Sequence, residues 1–216
     1  MRTLGYLWEH AGEVTHLTAQ HAALVGYATL LAVLTAVPIG VAIARRPRWA
    51  GPVLAAAGAL MTVPSIALLG LLIPILAGIG QGIGAVPTVI ALVIYAQLPI
   101  IQNTHAAVAG IDPAVLEAAR GMGMARGDLL WRVQLPLALP VILGGIRTAV
   151  VMNVGVAAVA AYIGAGGLGH LVQVGLNALD DALVLAGALL LSALAVAAEL
   201  LLGGAQRWLT PPGPRR

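Results

Sequence analysis

The chain has 216 residues, of which 60% are hydrophobic and only 9% charged, with a formal net charge of +3. An ordinary soluble domain carries about 25% charged residues. No folded core of this size hides so much apolar surface from water, so lipid must be the solvent for most side chains. A soluble protein is excluded, and the chain is an integral membrane protein.

Two absences narrow the chemistry. There is no cysteine, so disulfides and thiolate metal sites drop out. All eleven basic residues are arginine. The phosphate-cradling GxxxxGK[ST] loop needs a lysine, so the chain cannot hydrolyse ATP by that route. A pI near 10.0 suggests nucleic acid as a partner for a soluble protein. In a membrane protein basic cytoplasmic loops account for it, and no nucleic acid is expected.

Residues 1–21 are too polar to span and lack the apolar run and cleavage site of a signal peptide. Leu4, Leu7 and Trp8 predict the apolar side of a short interfacial helix. His10, His16 and His21 are spaced by six and five residues and share no helical face, which predicts surface histidines rather than a metal site. The first span covers 22–44, enough for a crossing at about 20 residues, and ends at Arg45, Arg46, Pro47 and Arg48 with Trp49 as an interfacial anchor. The second, 52–77, is broken by Pro64-Ser65 and by Pro74. These prolines free backbone carbonyls that only protein or pathway water can satisfy, so this span faces a bundle interior or pathway. A flexible turn, 78–84, leads to the third span, 83–101, closed by Leu98-Pro99, after which Asn103, Thr104 and His105 enter a polar stretch. The fourth span is 136–163, a glycine-rich loop fills 164–181, and the fifth span is 182–202. A basic, proline-rich tail, 204–216, has the composition of a disordered segment.

Five spans place the termini on opposite sides of the membrane. Arg45, Arg46, Arg48, Arg120, Arg126, Arg132, Arg207, Arg215 and Arg216 then fall on one side, Arg2 alone on the other, and Arg147 inside a span. The positive-inside rule puts the nine on the cytoplasmic side with the C terminus, and leaves 1–21 outside.

The polar stretch from Asp112 to Pro136 is the exception in a greasy chain. It holds Asp112, Glu117, Arg120, Arg126, Asp128 and Arg132. Asp112 can cap a helix whose first turn tolerates Pro113. Val115, Ala118, Ala119 and Met122 share an apolar face, Gly121 and Gly123 end the helix, and Leu129, Leu130 and Val133 mark a second short helix. Such an island either rests on the membrane surface or docks a soluble partner, for which its alanines permit close approach.

The island resembles the EAA loop of bacterial ABC importer permeases. Glu117-Ala118-Ala119, then Gly123 after three residues, then Val133-Gln134-Leu135-Pro136 after nine more, reproduce that family's spacing. Ala125 departs from it, because relatives often carry a helix-capping Ser or Thr there. VPSIALLGLLIP, LPLALPVILGGIRTAVV and AYIGAGGLG extend the likeness over most of residues 63–169, toward permeases for quaternary ammonium osmoprotectants such as glycine betaine, carnitine and choline. The resemblance implies an all-α permease of the type I ABC importer kind in the bacterial inner membrane, with transmembrane domain 22–203. It further implies a cytoplasmic ATPase that uses the ATP, an extracytoplasmic substrate-binding protein, and a second permease subunit, identical or homologous. This chain itself would bind no cofactor or metal and have no catalytic residues. Glu117, Ala118, Ala119 and Gly123 would dock the ATPase, and Leu135-Pro136 would anchor the fourth span.

Three further features bear on function. Residues 164–169 match GxGxxG, but a membrane span precedes them where a dinucleotide site needs a strand. A tight turn is expected instead, with Gly166, Gly167 and Gly169, and the turn 78–84 continuing to Val86, offered to the binding protein. Arg147 costs at least about 2.5 kcal/mol inside a span unless paired or wetted. It is either a pathway residue, with Pro64 and Ser65, or a structural arginine satisfied by carbonyls or a cytoplasmic acid. Glu199 is expected at the interface near Arg207. No aromatic cage for a quaternary ammonium lies in the spans, so specificity is expected in the binding protein. An ABC permease for an amino acid such as methionine is the nearest alternative. An ATP-independent secondary transporter fits less well, because it has no use for a docking helix and the chain shows no repeated half.

Overall fold

The computed structural model describes residues 2–209, with side chains from Gly5 onward, and every regular element among them is helical. The side chains of Arg2 and Leu4 and the tail beyond Leu209, with Arg215 and Arg216, lie outside the described residues. Four helical runs are long and apolar enough to cross a membrane: α2 (Ala11–Arg45), α5 (Ala85–Ala109), Arg126–Ile163, and α10 (Asp181–Leu209). A fifth candidate is a broken pair, in which Pro47–Thr62 and Ser65–Ala77 are bent by 94° at the break.

That bend falls at the expected Pro64-Ser65. Proline has no N–H to donate and forces the residue before it out of the helical region. Val63 is accordingly extended, with φ −65° and ψ 126°, and ends α3 (Ala50–Thr62), while Pro64 precedes α4 (Ser65–Ala77). The carbonyl freed by the break does not stay bare: the Tyr95 hydroxyl of α5 donates to Val63 O. Pro74, in contrast to the expected second break, lies inside a continuous α4.

α5 is the hub on which α2, α3, α4 and α8 (Leu135–Val159) pack. The α2–α5 contact is made close by small residues. Ala28, Ala32, Ala36 and Gly40 recur every fourth position along α2 and are all buried. A Cβ on Gly40 would stand 2.5 Å from Thr104 Cβ, so α5 approaches there as only glycine permits. In lipid, such small-residue stripes let backbones touch and gain dispersion contacts. Gly145 and Ala149 of α8 do the same on the other side of α5, Gly145 facing Pro99 O and Asn103.

Several boundaries differ from the sequence expectations. α2 begins at Ala11 rather than at 22 and is 35 residues long, about 50 Å at 1.5 Å per residue. A single helix thus carries the polar segment His16–His21 and the first span together. α1 (Arg2–Glu9) is a helix, as expected, but it turns Tyr6 onto the cluster of Leu17, Leu168, Leu171 and Leu183 while Trp8 is exposed. Pro99 does not close the third span; α5 runs through it to Ala109, and Thr104 is buried within. The loop 164–181 contains a helix, α9 (Gly169–Ala178), which Leu179 ends at φ 54°. Asp180 then caps α10 by accepting from Ala182 N at 2.9 Å.

Candidate functional site

The island folds as capped helix α6 (Pro113–Gly121). Asp112 Oδ1 accepts from Ala114 N at 2.9 Å, and Pro113 occupies the first turn, where a missing N–H costs nothing. The C-terminus is a Schellman motif: Met124 N donates to Ala119 O at 3.2 Å and Gly123 N to Arg120 O at 2.9 Å. That motif needs a left-handed residue, and Gly123 supplies it at φ 82°. Both ends of the helix are therefore closed by local hydrogen bonds, and packing on the protein supplies the rest of what nine residues need to stay helical.

What α6 shows outward is apolar. Val115, Ala118 and Met122 are exposed along one face, with Glu117 and Arg120 exposed beside them. Ala119 does not share that face; it is buried at 3% exposure and turned toward the protein. The motif's two alanines thus have separate tasks, one outward and one packed.

The second short helix is not a separate element. α7 (Arg126–Asp128), a π-helical turn Leu129–Gln134 and α8 form one unbroken run that continues as a 3-10 turn to Ile163. Ala125 precedes α7 without a side-chain cap. α6 packs on the π turn, and Leu135 and Pro136 open α8 directly after it. α6 thus bears on the start of the run that becomes α8, with the non-helical residues 122–125 between them. Arg132 and Asp128, both exposed, pair at 3.2 Å on the outer side of this run.

At the far end of α8 the two glycine-rich turns meet, with Gly84 N donating to Ile163 O at 2.8 Å. Gly164, Gly166 and Gly167 all have positive φ, near 75°. Gln20 clasps this turn: its Oε1 accepts from Gly167 N at 3.0 Å and its Nε2 donates to Ala165 O at 3.3 Å. His21 is not a surface histidine. It is fully buried, its Nε2 lies 3.1 Å from Val154 O, and its ring stands where a Cβ on Gly167 would fall. The carbonyl partner implies that Nε2 carries the proton and donates. Gly167 and Gly169 are buried with it, and a Cβ on Gly169 would overlap the Ala158 backbone. These glycines serve close packing, so the surface of this turn is presented instead by Tyr162, Gly164 and His170. Sequence spacing could not find the Gln20–His21 clasp, because its partners lie more than 130 positions away.

Arg147 pairs with Glu199 of α10, Nε to Oε1 at 3.3 Å. Glu199 therefore faces the inside partner rather than Arg207. Gln206, one helical stretch further along α10, donates to Pro140 O at 2.8 Å. Pro64 and Ser65 sit at the 94° bend, well removed in sequence from this pair. Among the described residues no group of three His, Asp or Glu side chains converges as metal ligands.

Broken and small-residue helices around a hub, with a capped helix outside the spans packed on the start of one of them, are the architecture of a membrane transport subunit. Residues 36–211 match the family described as the binding-protein-dependent transport system inner membrane component, and the chain belongs to that family. It is 50% identical over 215 residues, all of both chains, to the osmoprotectant import permease protein OsmW of Salmonella typhimurium. It is 37% identical over 211 residues to the choline transport system permease protein OpuBB of Bacillus subtilis, covering 98% of this chain and 95% of that one. Among solved structures, an inward-facing conformation of the MetNI methionine ABC transporter superposes with a TM-score of 0.80 at 24% identity, covering 89% of this chain and 94% of that one. At that identity the likeness is one of fold, and the fold is that of a type I ABC importer permease.

Proposed function

We propose that this chain is one of two permease subunits of an ATP-driven importer for quaternary ammonium osmoprotectants, with Asp112–Pro136 as the element that couples it to a separate ATPase. The carrying observation is α6: a helix capped at both ends, with an exposed apolar face, packed on the π turn from which α8 runs on without a break. An ATPase that closes on nucleotide can push such a helix as a rigid body, and α8 then rocks with it between outward- and inward-facing states. Glu117, Ala118 and the Gly123 turn form the contact, Ala119 fixes the helix to its own chain, and Leu135-Pro136 transmits the movement.

The arginine count supports a cytoplasmic α6 and C terminus, with residues 1–21 outside, when the bent pair is counted as the fifth span. The paired turns at 78–84 and 160–170, which share the Gly84–Ile163 bond, then face a binding protein. ATP is used by the partner, and this chain has no catalytic role. The osmoprotectant substrate is supported by the names of the full-length relatives above, whereas the methionine reading draws only on shared fold. The test is uptake by vesicles holding the chain with its ATPase, second permease and binding protein, supplied with glycine betaine, choline or methionine. ATP-dependent betaine or choline uptake that Glu117→Arg abolishes is expected. ATP-independent uptake, or methionine as the preferred solute, overturns the reading.

A further inference from the structure

Two ionised side chains meet inside the spans, and the coupling element does not use them. Arg147 stands midway along α8 (Leu135–Val159), and its only ionic partner among the described residues is Glu199, 3.3 Å away on α10. Neither side chain is enclosed: 35% of the Arg147 side chain and 47% of that of Glu199 remain exposed. Charges at this depth face a water-filled cavity or protein rather than lipid, so the exposed side of the pair calls for water, a solute or a partner subunit against it. The surroundings leave it room. Gly203 presents no side chain where a Cβ would stand 3.3 Å from Arg147 Nη1, and Thr148 and Gly155 keep the adjacent face of α8 open.

A guanidinium is a planar fork that holds a carboxylate through two parallel N–H bonds. A carboxylate beside it supplies the counter-charge for a cation that has no protons to donate. The geometry points to the Arg147–Glu199 pair as a recognition site for zwitterions that join a carboxylate to a quaternary ammonium, the carboxylate on the exposed part of the guanidinium and the ammonium against Glu199. A neutral pair and a neutral zwitterion exchange partners without leaving net charge in the membrane. A solute with the ammonium alone draws Glu199 away and leaves Arg147 unpaired. The pair thereby favours glycine betaine and carnitine over choline at the translocation step. This rests on the osmoprotectant reading above and adds to it a specificity in the spans that an aromatic cage does not provide.

The test compares glycine betaine and choline uptake by the complete transporter in vesicles, with saturated binding protein. Arg147→Gln is expected to lower the betaine-to-choline ratio about tenfold or more, the effect of losing a charge-assisted hydrogen-bond pair. The double variant Arg147→Gln/Glu199→Gln removes the stranded charge and is expected to stay poor in betaine. Recovery of betaine uptake in the double variant, or equal loss of both solutes in the single one, shows a structural clasp and overturns the proposal. Should Arg147→Gln fail to assemble, Arg147→Lys keeps the charge but loses the fork, and an unchanged betaine-to-choline ratio there also overturns it. A wild type driven by ATP that ignores betaine and carnitine overturns this site while leaving the permease assignment standing. A wild type idle toward every solute overturns both.

Discussion

The segments at the two ends of α8 both carry glycines, and they use them for opposite purposes. In the island, Gly123 supplies a positive φ and a Cβ there would meet nothing within 4 Å. In the far turn, Gly167 and Gly169 let His21 and the Ala158 backbone approach where any side chain would collide. The first glycine shapes a helix whose outer face stays exposed; the others seal a part of the molecule against itself. Glycine content marks both as loops in the sequence, yet one is a surface and the other is core.

The contrast can be broken experimentally. Gly169→Val forces a side chain into the fixed Ala158 backbone, which has no flexible group to yield, so a loss of about 3 kcal/mol or more is expected. Thermal unfolding of the purified protein should show it, and a wild-type melting temperature would mean that the turn is loose. His21→Ala removes the donor to Val154 O and empties a buried site, for about 2 kcal/mol; hydrogen exchange at the turn would report it. Tyr95→Phe strands the Val63 carbonyl at the bend for ~1–2 kcal/mol, unless water replaces the hydroxyl. Gly123→Ala meets no clash and costs about 1 kcal/mol from the left-handed backbone alone. It should fold normally, and a melting point as low as that of Gly169→Val would erase the distinction between the two segments.

The smallest effect concerns Tyr6, outside the spans. Burial, with the charges of Glu13 and then Asp180, raises its phenol above the ordinary 10.0. The neutral form is thus favoured in the folded chain, so its contribution is complete below the usual tyrosine range and declines as pH rises through the raised value. Asp180→Asn should lower the absorbance-monitored titration midpoint slightly.

Local chemistry was legible and tertiary partnership was not. Asp112, Pro113 and Gly123 announce the limits of α6 because caps act within four residues of themselves. Pro64 announces the bend for the same reason. Hydropathy marks apolar stretches but not where a helix stops. Its polar start hid the continuity of α2 from Ala11, and Pro99 suggested an end that the packing of α5 against Gly40 and Gly145 overrides. His21 looked like a surface residue because its polarity says nothing of Val154, 133 positions away. Arg147 was recognised as costly, but its partner could be found only once α8 and α10 lay side by side.

The central claim, that α6 docks a separate ATPase through its exposed face, is tested most directly by crosslinking. The chain contains no cysteine, so a single one reports without background. In the assembled transporter, Ala118→Cys with a short crosslinker should capture the ATPase subunit, and Ala119→Cys, at a position 3% exposed, should not. Capture from neither Ala118→Cys nor Met122→Cys, with ATP-driven uptake intact, would contradict the account.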